Sequence, residues 1–461
     1  MSNLGNLINL TKDLEKIAII DEHGSVTYRQ LHNMSNFVAQ DLYSKGFRAG
    51  DRIALKGLNT IDYVAAYLGI LKLGCVAVLV NIKFPQEQID YVLKNSDSKF
   101  LWEFPSVPKD TVSEFTAQEV DANDPAIIMY TSGSTSYPKG VILPHSHKWI
   151  IEQKSKLPRA EQRRAIVAAP LYHMNGLSNT ETVICSHSTL VLLEKFDSRK
   201  FLTKVSEHKV NSITSVPTML SMMLQETDLI SSLDFSSVRH IGMASSPVSK
   251  PLWQNLKTIF PDAILTNGYG ITEVSPGIFG PHPKLPTPEM SVGYPTPGIE
   301  YRIVDGILQV KSPSMFLKYN NTNLKNITDD GFFITNDLFK IDENGFYYFL
   351  GRADDMFVSG GNNIYPRQIE SILEEHTSVS TAAVIGIEDD VKGMKPYAFV
   401  QSSTDEDTLL EFTKTKLPPS HVPRRIWIVE NFPLNSVNKL DKQKLKEAAY
   451  SNLNISCIMQ N

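Results

Sequence analysis

YTSGSTSYPKGV, residues 130–141, carries a short apolar strand (IIMY, 127–130) into a loop of small hydroxyl residues and glycine that ends at Lys139. Such a loop turns backbone N–H groups and side-chain O–H donors toward an anion, and the lysine adds a point charge. It is not a Walker A loop, because Lys139 precedes Gly140 and no Gly-Lys-Ser/Thr follows. Alone, the loop fits a solvated Ser/Thr turn as well as a phosphate cradle.

Outward from this loop, strand-like and helix-like stretches alternate. RQLHNMSNFVAQDLYSKG (29–46) places Leu31, Met34, Phe37, Val38 and Leu42 at helical spacing, with Gly46 as its stop. The strand DRIALKG (51–57) follows. Next comes an apolar run, YVAAYLGILKLGCVAVLV (63–80), just long enough to span a bilayer. Lys72 inside it, the interrupting Gly69 and Gly74 and the β-branched residues after Cys75 make it a buried helix followed by a core strand. AIVAAP (165–170), TLVLLE (189–194), SITSVP (212–217) and VRHIGMA (238–244) are further short apolar strands. This alternation predicts an α/β fold with a doubly wound parallel sheet or a pair of them. From about Gly280 the chain is dense in Pro and Gly with short strands, which predicts a small β-subdomain. Past Gly351, IYPRQIESILEEH (364–376), two strands and a helix near Asp405–Leu417 predict a separate α+β domain.

The 461 residues carry 45 Lys+Arg against 50 Asp+Glu, a net charge of −5, with 42% hydrophobic and 21% charged residues. That balance gives no polybasic stripe for a phosphodiester backbone, so nucleic acid is not an expected partner. Three distant cysteines, Cys75, Cys185 and Cys457, form neither a disulfide framework nor a zinc pattern. No secretory signal and no membrane span are read, and a cytoplasmic location is expected.

The 130–141 loop closely resembles the phosphate-binding signature of the adenylate-forming superfamily: acyl-CoA synthetases, aryl-CoA ligases, luciferases and peptide-synthetase adenylation domains. Four more segments match that family in the same order: NGYGITEVSP (267–276), TNDLFKIDENGFYYFLGR (335–352), GRADDMFVSGGNNIYP (351–366) and PLNSVNKLDK (433–442). The resemblance implies an ATP- and acid-binding domain over 1–351, a hinge at 352–354 and a mobile lid over 355–461. It further implies that Thr131, Ser132, Gly133, Ser134, Thr135 and Lys139 hold the β- and γ-phosphates. Tyr269 would stack on adenine, edged by Asn267, Gly268 and Ser245-Ser246-Pro247. Thr272 would bind the α-phosphate, and Glu273 would ligate Mg²⁺. Asp337 and Arg352 would grip the ribose, though they equally fit a salt bridge with each other. Asp354 would be the hinge, Lys439 the lid's catalytic cation, and Ser359-Gly360-Gly361 the lining of the pantetheine tunnel. Two departures stand out: Asn438 precedes the lysine and Ser136 sits in the loop, where the family usually has glycine.

APLYHMNGLSN (169–179) resembles the family's acyl-site motif, with His173 as the aromatic gate. Val216, Gly242, Met243, Gly270, Ile271, Gly277 and Ile278 are candidate acyl-pocket walls. Amino-acid-activating relatives place an Asp in this region and this chain has none, so a non-amino acid is favoured. The expected reaction makes an acyl-adenylate and pyrophosphate from ATP, then passes the acyl group to coenzyme A. A carrier-protein phosphopantetheine arm is the alternative acceptor, and a catalytically silent nucleotide-binding protein the alternative class. Among acids, o-succinylbenzoate, aryl and medium-chain fatty types are open.

Overall fold

The computed structural model describes residues 2–131, 137–157, 163–274, 276–321, 326–389, 393–435 and 439–450. Two sheets dominate the larger part. One has six strands in the order Lys318–Tyr319, Lys139–Pro144, Pro125–Thr131, Val76–Val80, Arg52–Lys56, Phe100–Glu103. Its last four are mutually parallel, whereas Lys139–Pro144 returns antiparallel beside Pro125–Thr131. The second has seven strands in the order Ile264–Gly268, His240–Ala244, Ser212–Ser215, Arg164–Val167, Thr189–Leu192, Ile17–Asp21, Gly24–Thr27. Every pairing in it is parallel except the first hairpin.

The largest core contains inward residues of both sheets together with the helices Tyr28–Ser44, Ile61–Lys72 and Met174–Cys185. The first of these begins where Thr27 forms a capping box. Its hydroxyl accepts from Gln30 N at 3.2 Å, and Gln30 Oε1 accepts from Thr27 N at 2.9 Å. Leu31, Met34, Val38 and Leu42 are buried as their spacing predicts. Phe37 is not: it lies at the margin of the stripe and is 37% exposed. The 63–80 run is the expected helix and core strand, and no helix among the described residues is long and apolar enough to cross a membrane. Lys72 is itself buried. Its ammonium donates to Ser35 Oγ at 2.7 Å and Asn36 Oδ1 at 2.6 Å, with His32 Nδ1 at 3.3 Å.

A four-stranded antiparallel sheet (Glu300–Val304, Ile307–Lys311, Phe333–Ile341, Tyr347–Arg352) supplies the predicted β-subdomain. Beyond it, strands Phe357–Ser359, Asn362–Ile364, Val379–Asp389, Gly393–Ser402 and Ile426–Ile428 form one sheet. The helices Pro366–Leu373 and Glu406–Lys416 accompany it around a separate apolar core. The α/β class and the larger-plus-smaller organisation read from the sequence therefore hold.

Candidate active site

Parallel strands place their carboxyl ends along one edge of a sheet, where loops can diverge and leave a crevice. Here His240–Ala244 ends at Ser245, and Ile264–Gly268 ends at Tyr269. Ser245 has φ +73°, a left-handed conformation seldom adopted by serine and found at sites where the backbone is held for function. The cleft above this edge has a volume of about 1880 Å³. Single small-molecule pockets usually measure roughly 300–1,000 Å³, so this one has room for a nucleotide and a second reactant.

Most of the residues expected from the sequence meet here. Thr131, Lys139, Ser245, Ser246, Pro247, Asn267, Gly268, Tyr269, Thr272, Glu273, Asp337, Arg352, Asp354, His173 and Lys439 all line the cleft. Ser132, Gly133, Ser134 and Thr135 lie outside the described residues, as do Ser136 and Asn438. Of the acyl-wall candidates, Val216, Gly242, Gly270, Ile271 and Gly277 border the cleft, and Met243 borders it while its side chain is buried in the second core. Ile278 does not. The left-handed turn at Gly277 (φ +80°) sends it into the main core with no exposed surface. Ser359, Gly360 and Gly361 are also outside the cleft, at the tip of the hairpin joining Phe357–Ser359 to Asn362–Ile364.

The adenine and ribose motifs are wired together. Tyr269 packs edge-on against Phe339, ring centroids 4.9 Å apart, and donates its hydroxyl to Asp337 Oδ2 at 2.5 Å. Burial pushes the Asp337 carboxyl up to about 6, against the pull of that hydroxyl and of Arg352. Arg352 sits directly opposite Asp337 in the antiparallel register but makes its two-pronged contact elsewhere. Its Nε and Nη2 each reach Asp354 at 2.8 Å, while Asp337 is 3.9 Å away. The salt bridge left open by the sequence is thus chiefly Arg352–Asp354. Asn336, beside the ribose carboxylate, is left-handed (φ +58°), a conformation asparagine tolerates.

Glu273 accepts from the Tyr319 hydroxyl at 2.8 Å through one carboxylate oxygen. No cluster of three or more metal-ligating side chains occurs among the described residues. A lone carboxylate facing a phosphate cleft suits Mg²⁺, which keeps waters and phosphate oxygens as most of its ligands.

His173 caps the helix Met174–Cys185, with its ring edge-on to Tyr172 at 4.7 Å. Its buried Nε2 has no hydrogen-bond partner. Burial, followed by the charges of Lys439 and Lys83, pushes its pKa down to about 3, so the imidazole is neutral. Asn175 on the same helix donates to Ser245 Oγ at 3.4 Å, tying the gate to the adenine rim. Lys439 also borders the cleft: its N–H donates to Asn435 Oδ1, and Leu434 bridges Leu440. Burial and the nearby Arg352 lower its pKa from the ordinary lysine value.

Sequence reading missed part of the cleft's polar lining. Ser212, Thr214, His240 and Thr266 point into the cleft on alternate strand positions, and His240 Nε2 lies 3.0 Å from Thr266 Oγ1. A polar residue recurring every second position on otherwise apolar strands was the available signal. It missed the lid's grip as well. Arg367 Nη2 donates to Val248 O at 3.3 Å, and Ser249 Oγ to Ser380 O at 3.1 Å.

Residues 9–109 and 102–315 match the family model described as AMP-binding enzyme, and 368–439 match the AMP-binding enzyme C-terminal domain. The 2-succinylbenzoate–CoA ligase of Bacillus subtilis is 30% identical, covering 94% of this chain and 95% of the relative. The Bacillus subtilis o-succinylbenzoate CoA synthetase, solved with its acyl-adenylate intermediate, superposes with TM-score 0.81 at 29% identity over 96% of this chain and 98% of that one. ATP-bound MatB from Rhodopseudomonas palustris superposes with TM-score 0.87 at 25% identity over 97% and 98%. The cleft geometry and these likenesses agree: this chain belongs to the AMP-binding enzyme family and is an acid–thiol ligase.

Proposed function

We propose that this ligase activates 2-succinylbenzoate, or an aromatic keto acid of that build, and transfers it to coenzyme A. The observation that carries the choice of acid is the acyl arm. Ser212, Thr214, His240 and Thr266 line it with hydrogen-bonding groups, a polar wall that suits a keto acid better than an all-hydrocarbon chain. The 2-succinylbenzoate–CoA ligase relative supports the same acid and coenzyme A as acceptor, in preference to a carrier-bound arm. No carboxylate among the described residues lines the acyl arm, which argues against an α-ammonium there.

In the first half-reaction a carboxylate oxygen of the acid attacks the α-phosphorus of ATP, and the bond to pyrophosphate breaks. Both reactants are anions, so catalysis is positioning and charge cancellation. Thr131 and Lys139 hold the departing phosphates, Thr272 the α-phosphate, and Asp337 the ribose. Lys439 cancels charge between carboxylate and phosphorus, and neutral His173 donates its unpartnered N–H to the acid. Glu273 would hold Mg²⁺, which would supply positive charge to the phosphates. In the second half-reaction the lid, residues 355–461, swings about Asp354 and carries the Ser359–Gly361 hairpin to the cleft. The coenzyme A thiolate attacks the acyl carbonyl carbon, and AMP leaves with the electron pair of the broken C–O bond.

The test is pyrophosphate exchange into ATP across a panel of aromatic, keto and medium-chain acids, followed by thioester formation with coenzyme A. Exchange confined to fatty acids would overturn the choice of acid. No exchange with any acid would favour the silent nucleotide-binding reading.

A further inference from the structure

Helix Pro366–Leu373 of the smaller domain buries Ile369 and Leu373 in that domain's apolar core and turns a charged face to the cleft. On that face Arg367, Glu370 and the C-cap residue Glu374 recur at helical spacing, so their side chains meet. Arg367 Nη1 and Nη2 reach the two carboxylate oxygens of Glu374 at 3.2 and 2.9 Å, and Nη1 lies 3.7 Å from Glu370 Oε2. Glu370 and Glu374 are buried, at 5% and 6% exposure. Buried acids need a compensating cation, and Arg367 supplies one from the same helix.

Its guanidinium reaches further. The planar fork has more donors than one carboxylate can take, and Nη2 also donates to Val248 O of the larger domain, at 3.3 Å. On the other side, Glu370 Oε1 accepts from Val384 N at 3.0 Å and from the Lys442 ammonium at 2.9 Å. Lys442 stands 3.8 Å from Asp355, next to the proposed hinge, and opens the helix Lys442–Tyr450 three residues after Lys439. A continuous run of charged contacts thus leads from the backbone of the larger domain, through Arg367, Glu370 and Lys442, to the segment that brings Lys439 to the cleft.

Resting on the two-step reading above, we infer that Arg367 is a positioning residue for the first half-reaction. Docked on Val248 O, it seats its own helix, and through Glu370 and Lys442 it holds the Lys439 segment over the cleft. A long lysine stem loses much rotamer freedom when its charge is fixed at one place, so the loop that bears it has to be held from outside. The Val248 bond runs between domains and breaks when the smaller domain turns for the thiol step, in which Arg367 has no part. A charge-assisted hydrogen bond so placed weights the equilibrium between the two arrangements without touching ATP or acid.

The experiment uses the full-length enzyme and whichever acid of the panel supports pyrophosphate exchange in the wild type, so a wrong choice of acid and a wrong role for Arg367 give separate results. Arg367→Lys keeps a cation between Glu370 and Glu374 but cannot fork between carboxylate and carbonyl. It is expected to lower exchange about tenfold and to leave thioester formation from supplied acyl-adenylate and coenzyme A within about twofold of wild type. Lys442→Met, which cuts the same run at its other end, is expected to show the same asymmetry. In a Lys439→Ala background, Arg367→Lys is expected to cost less than about twofold more, because the group it positions is gone. Equal loss in the two half-reactions, as a folding defect gives, would overturn the role. Unchanged exchange in Arg367→Lys, or a further loss of about tenfold on top of Lys439→Ala, would overturn it too. Absence of exchange with every acid in the wild type would sink the two-step reading itself, and this role with it.

Discussion

Tyr269 and Asp337, 68 positions apart, share one hydrogen bond of 2.5 Å between phenol and carboxylate. It joins the loop after strand Ile264–Gly268 to strand Phe333–Ile341, so the proposed base and sugar subsites are tied to each other. The bond engages Oδ2 of Asp337, leaving Oδ1 as the oxygen for the proposed ribose contact. The aromatic packing around Tyr269 and its place at the cleft are thus the same fact: the ring is anchored so that its hydroxyl can orient a carboxylate.

The raised pKa of Asp337 gives a pH dependence with a definite sign. The folded chain keeps this proton between 3.8, the ordinary value, and about 6, where an unfolded chain has lost it. This group therefore favours folding at acid pH and loses that contribution as pH rises through the window. Binding runs the other way, because only the ionised carboxylate accepts from both ribose hydroxyls. Initial rates of pyrophosphate release are expected to show kcat/KM for ATP rising with pH through about 6, the limb that reports the free enzyme. Asp337→Asn is expected to remove that limb and to lower kcat/KM at pH 8 by about tenfold or more.

In the proposed mechanism Lys439 acts in one half-reaction. Lys439→Ala is expected to reduce acid-dependent pyrophosphate exchange by roughly 10²–10³. Thioester formation from supplied acyl-adenylate and coenzyme A is expected to stay within a few-fold of wild type. Because burial and Arg352 lower this lysine's pKa, exchange in the wild type is expected to fall off at a pH below the ordinary value of 10.5. Equal loss in both assays would refute the division of labour.

Gly176 lets the gate helix lie on the chain before it. A Cβ there would come within 2.3 Å of Pro170 O and 2.4 Å of Ala169 O, both backbone atoms that cannot turn aside. Gly176→Ala is expected to destabilise the fold by about 1–3 kcal/mol. It is also expected to raise KM for the acid more than KM for ATP, since His173 begins the same helix. Thermal melts and initial rates together check it, and an unchanged melt with unchanged KM would count against the packing argument.

Lys72 supplies a stability prediction far from the cleft. Burial without a carboxylate partner pushes its ammonium down to about 7. Between about 7 and 10.5 the unfolded chain holds the proton that the folded one has lost, so stability rises with pH across that range. Denaturant unfolding is expected to show wild type gaining stability from pH 7 to pH 9 and Lys72→Met gaining less. Parallel pH responses in the two proteins would remove this account of Lys72.

Much of this architecture was legible because its elements are locally consistent. VAVLV (76–80) is β-branched and wholly apolar, as a central parallel strand must be, and Thr27 to Gln30 spells a helix start. The gathering of the motif residues at one cleft was legible because their segments stand in a fixed order along the chain. Other features depend on distant partners. Lys72 correctly argued against a membrane span, yet its burial depends on Ser35 and Asn36, which face it from another helix. Ile278 looked like a pocket wall until the turn at Gly277 redirected it. Arg352 and Asp337 are paired in register, yet the two-pronged contact goes to Asp354, two residues along the chain.

The lid's two hydrogen bonds to the body reported above, from Arg367 and to Ser380, both fall on the consecutive residues Val248 and Ser249. These directly follow Ser245-Ser246-Pro247, the proposed edge of the base site at the cleft. In the proposed mechanism one short segment meets the nucleotide on one side and the smaller domain on the other. Such an arrangement would link ATP occupancy and domain closure thermodynamically, each raising the other's equilibrium constant by the same factor. Departure of the nucleotide as AMP would then loosen the same clasp and free the domain for its next cycle.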